Sequence, residues 1–170
     1  RRIGYEINMA KAGKEARIIL KMNALQDPAM IDELYKASEA GVKIDLIVRG
    51  ICCLIPNQPY SRNIRITRIV DSFLEHARVW YFHHGGKPLL FMGSPDWMRR
   101  NLYRRIEAVT PILDEDLKQQ LIDMLVIQLK DNRKAGWVDE NLNNVLKRNP
   151  KEEPVRAQYA FYEYLKGKNK

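Results

Sequence analysis

The sequence has no apolar run near the roughly 20 residues that a membrane-spanning helix needs. No apolar stretch follows Arg1-Arg2-Ile3-Gly4-Tyr5-Glu6, so nothing reads as a signal peptide. There are only two cysteines, the adjacent Cys52 and Cys53. A disulfide between neighbours is strained, which excludes a disulfide framework and leads us to expect a reduced, cytoplasmic protein. Phosphate-binding glycine loops are missing: there is no Walker-type run and no Gly-x-Gly-x-x-Gly. A Gly-x-Ser-x-Gly elbow is missing too, which argues against Ser94 as a nucleophile and leaves it as a cap or a donor to phosphate. Histidine is scarce, and no cysteine or carboxylate stands at metal-ligand spacing from it, so no metal site is expected. There is no internal repeat or low-complexity segment. The chain opens on Arg1 rather than methionine, and we expect a fragment of something longer.

What is present is arginine, concentrated in one window. Ten basic and three acidic residues fall between Arg49 and Arg105, a net +7 of the chain's +8. Nine of those ten cations are arginine, whose planar fork pairs with phosphate oxygens and stays charged. The window reads as the footprint of a phosphate-rich partner, or as a solvated basic face. With 170 residues, 45% hydrophobic and 29% charged, the chain can bury a core, and one domain over residues 1–170 is expected.

The pattern predicts an α/β fold with a mixed sheet and helices packed on it. Ile3, Ile7 and Ala10 recur at helical spacing up to Gly13, and Ala16–Met22 reads as a buried strand. Asp27 and Pro28 open a helix with Ile31, Leu34, Tyr35 and Ser38 on one face, stopped near Gly41. A second strand, Val42–Val48, completes a βαβ unit with parallel strands. Ligands bind beyond the carboxyl ends of such strands, where Asn23 and Arg49 stand. Residues 50–63 read as a loop, 64–66 as a short strand, 69–74 as a helical turn and His76–Phe82 as a buried strand headed by His76. A hairpin over Leu89–Met92 follows the turn at His83–Pro88, and Asp96–Asn101 reads as a short helical or irregular segment. We expect a further strand over Arg104–Ile112, then a helix capped by Asp114 with Leu117, Leu121, Met124, Leu125 and Leu129 on one face. Residues 132–149 are polar and mixed. Pro150 and Pro154 mark a break before a last helix and a lysine-rich tail.

An imidazole titrates near neutrality, which suits His76 to nucleophilic or acid–base work. Such a ring needs a partner on its other nitrogen, and Glu107, on a strand that would neighbour it, is the candidate. On residue types alone, His76 reads equally well as a satisfied core histidine and Glu107 as a surface carboxylate. His83 and His84 read as exposed turn residues, and Trp80 and Trp97 as core.

Several runs, taken in order, bring a family into view. They are Lys21–Leu25, Leu46–Cys52, Phe73–Arg78, Ser94–Met98, Asn101–Glu107 and Val155–Gln158. Together they resemble the last catalytic domain of polyphosphate kinase, the large multi-domain type whose C-terminal domains have the phospholipase D fold. The resemblance implies a phospholipase D-like sandwich and reversible transfer of the terminal phosphate of ATP to inorganic polyphosphate, with Mg2+ accompanying ATP. It implies a phosphorylated histidine in the preceding domain, absent here, with His76 as the facing general acid/base. Arg49 and Arg105 match phosphate-binding arginines, Arg78 takes the place of the superfamily's lysine and is expected to bind phosphate with them, and Glu107 matches the carboxylate that orients the histidine. The implied partners are ATP or ADP, polyphosphate, the preceding domains and further copies of the full-length chain. Nucleic acid is not among them, and peripheral membrane association is left open. His83 stands where the wider superfamily has an aspartate, and with Arg78 it departs from a generic hydrolase; Pro95 is unusual in its run, and nothing in the sequence accounts for it.

Two other readings compete. A phospholipase D-like phosphodiesterase or nuclease would build a full site as a homodimer. A non-catalytic module would bind any phosphate polymer with steep salt dependence.

Overall fold

A computed structural model describes residues 1–148 and 151–168. Pro150 and the end of the lysine-rich tail fall outside them. The elements run α1 (Arg2–Lys11), β1 (Arg17–Met22), α2 (Pro28–Glu39), β2 (Lys43–Val48), β3 (Ile64–Ile69), β4 (Val79–Phe82), β5 (Leu89–Gly93), α3 (Arg99–Arg104), β6 (Val109–Pro111), α4 (Glu115–Lys130), β7 (Ala135–Val138), β8 (Asn144–Leu146) and α5 (Ala157–Lys168). Short 3-10 turns occupy Pro59–Ser61 and His84–Gly86.

The strands form one eight-stranded sheet in the order β6-β5-β4-β1-β2-β3-β7-β8. The pairs β1–β2 and β2–β3 are parallel, and all the others are antiparallel. Helices cover both faces, which is why the central strands bury apolar residues on both sides. Ile18, Leu20 and Met22 face one way and pack with Ile31 and Leu34 of α2 and Ile3 of α1. Ile19, Ile47 and Val79 face the other way, against Met124 and Leu125 of α4 and Ala157 of α5. Asp27 caps α2 by accepting from the Met30 amide at 3.1 Å, and Asp114 caps α4 by accepting from Leu117 at 2.9 Å. No helix among the described residues is long and apolar enough to cross a membrane.

Three sequence expectations change. The strand expected over His76–Phe82 begins only at Val79; residues 70–78 have no regular structure, and Phe73 and Leu74 are exposed. The strand expected over Arg104–Ile112 shrinks to Val109–Pro111, because Arg104 is the last residue of α3 and 105–108 are irregular. The polar stretch after residue 132 hides the hairpin β7–β8, which extends the sheet beyond β3. Its strands are short, and every residue of β8 is exposed.

The topology gathers loops at one end of the sheet. The carboxyl ends of β1, β2 and β3 lie there. Because β4 runs against β1, with Val79 opposite Lys21, the residues entering β4 arrive at the same end. So do those leaving β5 at Gly93 and those entering β6 at Val109, which face each other. Ala135, at the start of β7, sits opposite Ile69.

Candidate functional site

That end of the sheet carries a continuous polar run. The Arg49 Nε donates to Asn23 Oδ1 at 2.7 Å, joining the ends of β2 and β1. The Asn23 and Ala24 amides donate to Asp96 Oδ1 at 2.7 and 2.9 Å. Asp96 in turn holds Arg78, through Nε at 3.2 Å and Nη2 at 2.8 Å. The remaining nitrogen of Arg78, Nη1, lies 3.0 Å from His76 Nδ1 and donates to the His76 carbonyl at 2.8 Å. A guanidinium only donates, so a ring nitrogen that takes this bond takes it as an acceptor. Arg49, Arg78 and His76 are thus brought together. Asn23 and Asp96 are the links between them, and Asp96 had not been read as a site residue.

Asp96 is 2% exposed. Burial alone would push its carboxyl up. The bond from Arg78, the Ala24 and Asn23 amides and the charge of Arg78 outweigh that and hold it below the usual carboxylate range. Gly50 packs where a Cβ would come 2.9 Å from the Asn23 carbonyl, so the turn after Arg49 needs a residue without a side chain. Arg68 braces the same turn, donating to the Gly50 carbonyl at 2.8 Å.

Glu107 is a correction. It does not lie on a strand beside the His76 segment, since β5 stands between β6 and β4. Among the described residues its carboxylate accepts from Ser94 Oγ and, at 2.6 Å, from Asn101 Nδ2, not from His76. Those two bonds, followed by the charges of Arg105 and Arg78, hold its carboxyl below the ordinary glutamate value. Ser94 caps nothing in the segment after it. Its hydroxyl donates to Glu107 and accepts from the Ala108 amide at 3.1 Å, tying the end of β5 to the approach to β6.

The arginines differ in what they have left to offer. Arg78 spends all three nitrogens on protein. The terminal nitrogens of Arg49 and the whole guanidinium of Arg105 have no hydrogen-bond partner among the described residues. Those two forks are free for an anion. Of the other histidines, His83 and His84 are half-buried rather than exposed: His84 packs on Tyr5 with ring centroids 4.0 Å apart, and its amide donates to Glu6. Trp80 and Trp97 are core, as expected. Among the described residues no group of three or more histidines, cysteines or carboxylates is arranged to hold a metal.

The segment entering the site is tied from behind. Arg156 donates to Asp71 at 2.6 and 2.8 Å, and this bond, against the opposing effect of burial, drives the Asp71 carboxyl down to about 2. A carboxyl depressed on folding contributes stability above its unfolded value of roughly 4 and loses that contribution as pH falls through its folded value. Arg156→Met should therefore lower the midpoint of thermal unfolding clearly at pH 7 and much less near pH 2. A deficit that stayed constant across that range would show that the ion pair is not its source.

With the geometry in place, comparison with known proteins is informative. The family model described as Polyphosphate kinase C-terminal domain 2 matches residues 1–158. The polyphosphate kinase of Yersinia pestis is 49% identical over 165 residues, covering 96% of this chain and 24% of the relative. The crystal structure of polyphosphate kinase from Porphyromonas gingivalis superposes with a TM-score of 0.97 at 59% identity, over 98% of this chain and 26% of that one. A phospholipase D family member, Nuc from Salmonella typhimurium, shares the fold alone, with a TM-score of 0.53 at 13% identity over 85% of this chain and 89% of that one. The chain spans about a quarter of the length of the curated relatives it matches. With a family model matched over residues 1–158 and relatives of one name along nearly its whole length, the chain belongs to the polyphosphate kinase C-terminal domain family and has a phospholipase D-like fold.

Proposed function

We propose that this chain supplies one half of a phosphoryl-transfer site. The site moves the terminal phosphate of ATP to inorganic polyphosphate, reversibly, through a phosphohistidine that residues outside this chain provide. The observation that carries this reading is the hydrogen-bonded run Arg49–Asn23–Asp96–Arg78–His76, with the forks of Arg49 and Arg105 left free. In phosphoryl transfer the protein mainly positions the groups and stabilises charge. Arg49 and Arg105 neutralise the oxygens of the transferring group. Arg78, anchored on Asp96, presents the imidazole of His76, which holds or gives up a proton as general acid/base. Glu107 fixes Ser94 and Asn101 and sets the position of positive charge around the site rather than touching the ring.

The proposed transfer takes ATP together with Mg2+. The carboxylates of this chain near the site fit it poorly as direct ligands, because Asp96 is filled by amides and Arg78, and Glu107 by Ser94 and Asn101. The ion would ride on the nucleotide's own phosphates, and no step here depends on a ligand from this chain.

The isolated 170 residues should make no polyphosphate from ATP, since one histidine of the pair is missing. ATP-dependent polymer synthesis by the isolated chain would overturn the half-site assignment. The homodimeric phosphodiesterase reading predicts cleavage of a model phosphodiester without ATP. The binding-module reading predicts strongly salt-dependent binding to any phosphate polymer and a function indifferent to His76→Ala, whereas the half-site requires that substitution to cost turnover in the full-length enzyme.

A further inference from the structure

His76 belongs to a stretch, residues 70–78, that has no backbone hydrogen-bond ladder of its own. An exposed loop would leave the imbalance between order and freedom to the solvent, yet this one is tied down by side chains from distant elements. Gln158, in the first turn of α5, grips the backbone of Phe73 in both directions. The Phe73 amide donates to its Oε1 at 2.8 Å, and its Nε2 donates to the Phe73 carbonyl at 2.8 Å. The same Nε2 lies 2.9 Å from Glu75 Oε1. The other oxygen of Glu75 receives Lys21 Nζ at 2.6 Å and Gln128 Nε2 at 2.9 Å. Lys21 comes from the middle of the sheet, is 2% exposed and has Glu75 as its ion-pair partner. One turn earlier, Arg156 grips Asp71 and the Ser72 hydroxyl.

The start of α5 is itself fixed from behind. Asp131, fully buried, accepts from the Ala157 amide at 2.7 Å through one oxygen. Its other oxygen accepts from the Arg133, Lys134 and Ala135 amides at the entry to β7. A rigid line therefore runs from the sheet through Asp131 and Gln158 to the backbone three residues before His76.

We propose that Gln158, acting with Glu75 and Lys21, is a positioning residue: it sets where His76 stands relative to the phosphoryl group, without touching substrate. This rests on the functional reading above. Misplacing a catalytic group by about 1 Å costs on the order of 100-fold in rate even when every reacting group remains. Gln158 is half-buried on a helix that the core and Asp131 hold independently, so its removal should loosen residues 70–78 and leave the fold intact.

The test uses the full-length enzyme with Gln158→Ala, His76→Ala and, as a control on the exposed face of α5, Tyr162→Ala. Expected for Gln158→Ala is a fall in kcat of about 10- to 100-fold with KM for ATP within twofold. Amide hydrogen exchange should quicken in the peptide covering 70–78 and nowhere else. Tyr162→Ala should behave as wild type. Unchanged kcat in Gln158→Ala overturns the proposal, whether or not exchange quickens. So does an exchange increase spread over the sheet, which would mark a purely structural role. If His76→Ala retains wild-type turnover, the functional reading itself fails, an outcome that Gln158→Ala cannot mimic.

Discussion

In the full-length enzyme, His76→Ala should lose polyphosphate synthesis by about 10²- to 10⁴-fold, the range a positioned acid or base contributes. The fold should be untouched. His76 is exposed, and among the described residues its hydrogen bonds go only to Arg78, so removing the ring strands no buried group. That separation of rate from stability is what distinguishes a catalytic imidazole from a core histidine, whose loss would lower the unfolding midpoint as well. Turnover within a few-fold of wild type would remove His76 from the mechanism. A loss of rate matched by a large loss of stability would return it to a structural role.

The second large effect lies one link behind it. Asp96→Ala should destabilise the chain by about 3–5 kcal/mol, as expected when one partner of a buried ion pair is removed. For a chain of this size that corresponds to a drop of roughly 10 °C in Tm. Two losses combine. The Arg78 guanidinium, only 11% exposed, keeps its charge without its partner. The Asn23 and Ala24 amides lose their acceptor at the end of β1. Asp96→Asn separates the two, because its amide oxygen can still accept from those amides while the pair with Arg78 is lost. It should recover part of the stability and little of the activity in the full-length enzyme. A cost below about 1 kcal/mol for Asp96→Ala would mean that the pair is screened by solvent and does not anchor the site.

Both predictions turn on a difference between what a sequence displays and what it conceals. Arg49 was legible because a βαβ unit announces its own strand ends, and the residue after a parallel strand has a known place. His76, Ser94 and Glu107 were legible as members of ordered runs, but their partners were not. Glu107 was paired with the wrong neighbour because the run from Arg104 reads like a strand, while α3 claims its first residue and β6 only Val109–Pro111. The β7–β8 hairpin escaped for the opposite reason: strands of four and three residues, the outer one exposed, are too short to show a period. Arg78 was read as a phosphate ligand, and in the structure its donors are taken up by Asp96 and His76.

By itself the sequence determined the alternation of strands and helices, the parallel pair at the centre, the caps at Asp27 and Asp114 and the concentration of arginine, because each is written in spacing or composition over a few neighbouring residues. Only the tertiary structure decided which arginines remain free for an anion, that Asp96 links Arg49 to His76, and that α5 grips the His76 segment from 85 positions away. The physical reason is that hydrogen bonds and buried ion pairs are satisfied by whichever groups the sheet topology brings to the same end, and that proximity leaves no periodic trace along the chain.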